Sequence, residues 1–250
     1  MPRDSKNKED LVRLNAGLDI PALKKEFHAE GRIHIPEILA KESAERLFKC
    51  LTQEIGWNLT YNDENGVQNI FAANQDKVTP QEWQDLSRKI RENAAARNFQ
   101  FFYANFAVED SYKQNLINDM YIARFYEFVN STPFLDFIRE ITGIKTITHA
   151  DQQATAYGPG HFLTEHNDYD PELGRKIAYV FSMTHDWPAE WGGLLQFINE
   201  GSRTVEGIAP GFNSLNLFSV PQRHFVSQVA SYAKGARYSV TGWLLERPRV

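Results

Sequence analysis

Cysteine occurs once in the 250 residues, at Cys50, so the chain can form no intramolecular disulfide and no cysteine-ligated metal cluster. Cys50 falls in a helical pattern, where a buried apolar role is expected. Long apolar runs are also missing: none approaches the ~20 residues that a membrane-crossing helix needs. The opening Met1-Pro-Arg-Asp-Ser-Lys-Asn-Lys-Glu-Asp10 is polar where a secretory leader would have an apolar centre. A cytoplasmic protein without membrane association is therefore expected. Positive charge is not in excess either. Lys and Arg number 27 against 32 Asp and Glu, a net charge of −5, which gives no direct signal for nucleic-acid binding. Internal repeats and low-complexity linkers are absent. What remains is ordinary for a globular chain, 42% apolar and 13% aromatic, and long enough to bury a core without staples.

The hydrophobic period changes near residue 144. Upstream, residues 1–15 read as a polar leader with frayed ends, and residues 16–143 as a helical and mixed support region. Pro21 to Gly31 reads as a helix with Pro in its first turn and Gly at its end. Thr79-Pro80-Gln-Glu82 opens another with a capping box. Helices are also expected over 40–54, 118–130 and 134–142, with strands at 32–35, 57–60 and 99–108. Tyr61-Asn-Asp-Glu-Asn-Gly66 has turn chemistry, and residues 61–79 read as a long loop able to act as a lid. His28 and His34 lack a second metal ligand nearby and read as structural or surface residues.

Downstream, short apolar segments alternate with turn residues: 144–157, 162–166, 176–183, 193–198, around Val205, 213–219, 225–229 and 238–245. About eight such strands suit a jelly roll of two facing sheets. The predicted fold class is mainly β with flanking helices, a cupin-like double-stranded β-helix over 144–250 with N-terminal helices packed on it. The whole chain, 1–250, reads as a single catalytic domain.

The chemistry concentrates in His166-Asn167-Asp168, with His224 following 56 residues after His166. Two histidines and a carboxylate can occupy one face of an iron(II) ion and leave the other open. In a strand or extended turn, residues i and i+2 point the same way, so His166 and Asp168 can share a metal. His224 must then come from a strand returning beside the first. Zinc also accepts two histidines and a carboxylate, so the triplet alone leaves both metals open.

The ordered set of Tyr157 and glycines upstream, His166-x-Asp168, Gly192-Gly193, His224 and Arg237-x-Ser239 resembles the iron(II)- and 2-oxoglutarate-dependent oxygenases, in their prolyl hydroxylase branch. The resemblance covers roughly 144–247. Arg175-Lys-Ile-Ala-Tyr-Val, His224-x-Val-Ser-x-Val and Arg237-Tyr-Ser-Val-Thr-Gly-Trp243 look most like the ribosomal-protein prolyl 3-hydroxylases. It implies His166, Asp168 and His224 as catalytic metal ligands, with iron(II) as the metal, 2-oxoglutarate and O2 as cosubstrates and ascorbate as an external reductant. Arg237 is expected on the 5-carboxylate of 2-oxoglutarate, where its planar fork meets a carboxylate with two hydrogen bonds. Ser239, two residues along the same strand, is expected to add a third, and Tyr157 to donate from its hydroxyl. Arg175 and Trp243 match positions on the substrate side. Many relatives carry Tyr where this chain has Ser182, a departure that alters the cosubstrate pocket. Related halogenases lack the carboxylate that Asp168 provides, so its retention implies hydroxylation. His161 and His185 fit no ligand slot, with His161 at most a hydrogen-bond donor to a group that orients a ligand.

The expected function is hydroxylation of a prolyl residue in a protein or peptide, with succinate and carbon dioxide as co-products. The alternatives are a hydroxylase of a free amino acid or small metabolite, and a cupin-like metal-binding module without turnover.

Overall fold

Three of the helices begin where a capping side chain places them. The computed structural model describes residues 11–201 and 203–246. In α1 (Ile20–Glu30), the Asp19 side chain accepts the N–H of Ala22, and Gly31 closes the helix in the left-handed conformation. In α3 (Pro80–Ala95), Thr79 and Glu82 form the reciprocal capping box. In α6 (Thr132–Thr142), Ser131 caps the start and Gly143 the end. The remaining helices are α2 (Lys41–Gln53), α4 (Val108–Lys113) and α5 (Tyr121–Val129). Among the described residues, no helix is long and apolar enough to cross a membrane.

The strands are β1 (Arg32–Pro36), β2 (Asn58–Asp63), β3 (Gly66–Ile70), β4 (Phe101–Phe106), β5 (His149–Ala150), β6 (Gln153–Tyr157) and β7 (Phe162–His166). They continue with β8 (Arg175–Ser182), β9 (Leu195–Ile198), β10 (Thr204–Ile208), β11 (Ser214–Ser219), β12 (His224–Val226) and β13 (Arg237–Leu245). The pairing order β1-β11-β8-β13-β6-β4-β7-β12-β9-β10 makes one curled antiparallel sheet, a jelly roll with flanking helices. β2 pairs with both β3 and β4, and β5 pairs with β13.

Alternation decides which side chains reach the interior. On β8, Ile177, Tyr179 and Phe181 enter the core shared with α2, α5 and α6, while Ala178 and Val180 face the hollow of the sheet. On β13, Val240 and Leu244 go to the helical core, and Arg237, Ser239, Thr241 and Trp243 line the hollow. Cys50 is fully buried in that helical core, as expected, and burial pushes its thiol up to about 12.

Four expectations need correction. Residues 11–15 of the supposed leader are docked: Asn15 N–H bonds to Ile38 O at 2.9 Å and Ala40 N–H to Arg13 O at 2.9 Å, while residues 1–10 lie outside the described ones. The segment 144–157 is two short strands, because the chain breaks at Asp151-Gln152. Residues 61–79 are not a long loop. Tyr61 to Asp63 complete β2, Glu64-Asn65 turn, β3 returns, and a 3-10 turn spans Ala72–Lys77. Finally, strands upstream of residue 144 join the sheet: β1 on β11, and β4 between β6 and β7.

Candidate metal and cosubstrate site

β7 and β12 are antiparallel neighbours with His166 directly opposite His224, so the strand returning beside the first is the one that carries the late histidine. Their ring centroids are 4.2 Å apart. His166 Nδ1 faces Thr164 O at 3.0 Å and His224 Nδ1 faces Gln222 O at 2.8 Å. A carbonyl can only accept, so both Nδ1 atoms carry the proton and both Nε2 atoms are left to offer a lone pair.

Asp168 reaches the same point by another route than strand alternation. His166 ends β7, and Asp168 sits beyond it at φ 61°, a left-handed turn that swings its carboxylate back. Its Oδ1 is 3.3 Å from His166 Nε2 and its Oδ2 is 3.4 Å from His224 Nε2. One donor atom from each of the three residues lies within 4.8 Å of the other two. Donors about 2.1 Å from one ion stand about 3.0–3.4 Å apart at right to tetrahedral angles, so the set fits a single divalent metal. Burial alone would raise the Asp168 carboxyl, but the two imidazoles overcome it and hold it below its ordinary value. Burial and the neighbouring His166 push His224 down to about 4. Both groups therefore stand in the forms that bind metal at neutral pH.

The triad opens into a cavity of about 910 Å³. Arg237 enters it from the start of β13 and is only 4% exposed. Its Nε and Nη1 have no hydrogen-bond partner, and no carboxylate is paired with it among the described residues. Its guanidinium carbon lies 5.1 Å from the Tyr157 ring, the residue opposite it on β6. Burial lowers its pKa, yet guanidinium stays charged at neutral pH. A buried cation without a counter-ion is what an incoming carboxylate would complete.

Ser239 is 1% exposed and shares a 2.7 Å hydrogen bond with Thr155. A hydroxyl has one proton, so Ser239 can donate into the cavity only when Thr155 donates to it. Ser182 is turned to other work: its Oγ accepts the N–H of Gly211 at 3.1 Å. A second phenol, Tyr103 on β4, also lines the cavity, stacked on Tyr157 with centroids 4.8 Å apart. Burial holds Tyr103 up at about 12, so it is a neutral donor. Neither Tyr103 nor Thr155 is marked by a motif. Both sit on the cavity-facing alternation of their strands, Phe101, Tyr103 and Asn105 on β4, and Gln153, Thr155 and Tyr157 on β6. That alternation is the signal that could have found them.

Arg175 and Trp243 meet directly, with the guanidinium carbon 3.7 Å from the indole centroid. Arg175 Nη1 also donates to Asp168 O at 3.3 Å, so it steadies the turn that aims the carboxylate. The Trp243 indole N–H faces the Asp168 carboxylate without closing a hydrogen bond. The other histidines stay outside this group. His161 accepts the N–H of Gly158 at 3.1 Å and packs edge-on against Phe102. His185 stacks on Phe212 at 3.7 Å, and His34 bonds to Asn216 at 2.7 Å. At the cavity mouth, Val67, Phe99 and Tyr169 are 63%, 46% and 64% exposed.

Residues 152–245, which include His166, Asp168, His224, Tyr157, Arg175, Arg237, Ser239 and Trp243, match the 2OG-Fe(II) oxygenase superfamily. In fold the chain is similar to a prolyl-4-hydroxylase from Pseudomonas putida, at 13% identity and TM-score 0.56, over 92% of this chain and 100% of that one. It is similar to a prolyl hydroxylase from Trichoplax adhaerens in complex with a hypoxia inducible factor oxygen degradation domain peptide fragment, at 14% identity and TM-score 0.60, over 91% and 89%. It is also similar to SnoN, a non-heme alpha ketoglutarate dependent epimerase from nogalamycin biosynthesis, at 10% identity and TM-score 0.54, over 91% and 82%. At such identities the solved structures speak for the fold, and one fold carries more than one reaction.

Proposed function

Since the chain is an iron(II)- and 2-oxoglutarate-dependent dioxygenase, we propose that it hydroxylates a prolyl residue within a protein or peptide. The co-products are succinate and carbon dioxide: one oxygen atom of O2 enters the C–H bond and the other enters succinate. The observation that carries the reading is the unpartnered, buried Arg237 on the cavity that holds the His166–Asp168–His224 cluster. When bound, the iron supplies oxygen activation with electrons from 2-oxoglutarate.

In this reading His166, Asp168 and His224 would hold the metal, two imidazoles and a carboxylate being a donor set that suits iron(II). Arg237 takes the far carboxylate of 2-oxoglutarate as a charge-assisted fork. Thr155 donates to Ser239, which frees the Ser239 proton for the same carboxylate. Tyr157 and Tyr103 wall that end and keep bulk water away from it. Arg175 holds the Asp168 turn and, with Trp243, forms the flat surface on which the target ring rests.

A polypeptide substrate is supported by the exposed apolar rim of Val67, Phe99 and Tyr169, which a free amino acid inside the cavity would leave uncovered. The C-terminal motifs favour the ribosomal-protein prolyl 3-hydroxylase branch, and with it a cytoplasmic site of action. The helices and the jelly roll share one apolar core, in keeping with a single catalytic unit across the chain. The test is mass spectrometry of proteins from cells with and without the enzyme. A gain of one oxygen on specific prolines supports the reading. Turnover of free proline with no modified protein replaces it with the small-molecule alternative.

A further inference from the structure

Beyond Trp243 the cavity wall carries polar groups that neither metal nor 2-oxoglutarate uses. The chain breaks there between β5 and β6, at Asp151 and Gln152. Asp151 is clamped in place. Its Oδ1 accepts the backbone N–H of Trp243, and its own carbonyl accepts the Tyr179 hydroxyl at 2.6 Å. It packs so closely on β13 that a Cβ at Gly242 would lie 2.4 Å from Asp151 O and 2.5 Å from its Oδ1. Among the described residues, no lysine, arginine or histidine is paired with this carboxylate. The nearby Arg175 lies over the Trp243 ring and donates from Nη1 to Asp168 O; its Nε has no partner, and it forms no ion pair with Asp151.

The rest of this end is also acidic or unpaired. Glu109 is taken up by His149 at 2.7 Å and Lys113 at 2.8 Å, while Asp110 is exposed at the same wall. Gln152 is 4% exposed, and neither of its amide atoms has a partner. Burial, with Glu109 and Asp168 adding to it, raises the Asp151 carboxyl to about 7, against the pull of the Trp243 N–H and Arg175. That is the behaviour of a desolvated carboxylate with no cation close enough to hold its charge.

We infer that Asp151 is a specificity-determining residue that binds a positively charged nitrogen of the substrate, so that the hydroxylated residue lies close in sequence to a lysine or arginine. The inference rests on the prolyl-peptide reading. The same chemistry could come from the ammonium of a small molecule, and the test separates the two.

Proteins from cells lacking the enzyme are digested with a protease that cuts at glutamate, which leaves basic residues inside the peptides. The digest, with its free metabolites retained, is incubated with iron(II), 2-oxoglutarate, ascorbate and either the wild-type enzyme or Asp151→Asn. Asparagine keeps an oxygen for the Trp243 N–H and removes only the charge. Wild-type enzyme is expected to hydroxylate prolines with Lys or Arg within about three residues, and Asp151→Asn to lose that enrichment. In a synthetic peptide from the best site, replacing the basic residue by norleucine should lower kcat/KM about tenfold or more for wild type, and less than about twofold for Asp151→Asn. Hydroxylated prolines without basic neighbours, or an enrichment that survives in Asp151→Asn, overturn the inference and leave the prolyl reading standing. If no proline gains oxygen, the prolyl reading fails. Oxidised metabolites then decide the inference: products bearing an amine uphold it, and products without a cationic nitrogen overturn it.

Discussion

Replacing Arg237 by Ala or Met should separate two effects that most active-site substitutions confuse. Arg237 is 4% exposed, and two of its three nitrogens have no partner. In the free enzyme it is a desolvated charge without a counter-ion; under the proposed role, 2-oxoglutarate would make it half of a buried ion pair. Removing one partner of such a pair costs roughly 3–5 kcal/mol, or between about a hundredfold and a few thousandfold in affinity. Calorimetric titration of 2-oxoglutarate into anaerobic, iron-loaded protein should show that loss for Arg237→Ala, with iron affinity much less affected. Lys at this position keeps charge but not the fork, so Arg237→Lys should fall between wild type and Ala. The free enzyme should respond in the opposite direction. Arg237→Met buries an apolar chain where a lone charge was, so its thermal midpoint without ligand should equal or exceed that of wild type. An unchanged 2-oxoglutarate dissociation constant in Arg237→Ala would refute the assignment. A large loss of ligand-free stability in Arg237→Met would show that the guanidinium already has a partner.

The remaining predictions are smaller in scale. Thr155→Val should weaken 2-oxoglutarate binding about five- to tenfold, the worth of one ordinary hydrogen bond, because Ser239 loses the donor that orients it. Asp151 has a folded pKa of about 7, above the ordinary 3.8, so the folded state holds its proton more tightly and stability contributed by the neutral form is lost as pH rises from about 4 to 7. Asp151→Asn should therefore match wild type near pH 4 and exceed it by on the order of 2–4 kcal/mol in urea unfolding at pH 8, and equal stability at both pH values would count against that burial. Val67→Asp at the tip of the β2–β3 hairpin should raise the KM for a peptide substrate several-fold while 2-oxoglutarate affinity stays the same, as measured by succinate release and by calorimetry.

Much of this site is legible in the residues because its signals are local. Thr79-Pro80-x-Glu82 forms the capping box, and His166, Asp168 and His224 converge. The route of convergence was less legible. Alternation in a strand suggests that residues i and i+2 share a face, but β7 ends at His166 and Asp168 gets there through a left-handed turn. The polar run Tyr61 to Gly66 hides a hairpin because three of its residues pair with β3 and one of them, Tyr61, also pairs with β4, a partner some 40 residues away. Tyr103 and Thr155 were missed because their roles come from stacking and hydrogen bonding across strands, to Tyr157 and Ser239. Asp151 and Gln152 sit at a break between two strands that apolar patterning merges into one.

The most direct measurement is a crystal structure of the protein with iron(II) and 2-oxoglutarate, grown without oxygen and phased at the iron edge. One ion should be bound by Nε2 of His166, Nε2 of His224 and a carboxylate oxygen of Asp168, each about 2.0–2.2 Å away. The distal carboxylate of 2-oxoglutarate should lie on Arg237, within hydrogen-bond distance of two of its nitrogens. An ion held by other residues, or 2-oxoglutarate bound away from Arg237, would contradict the account.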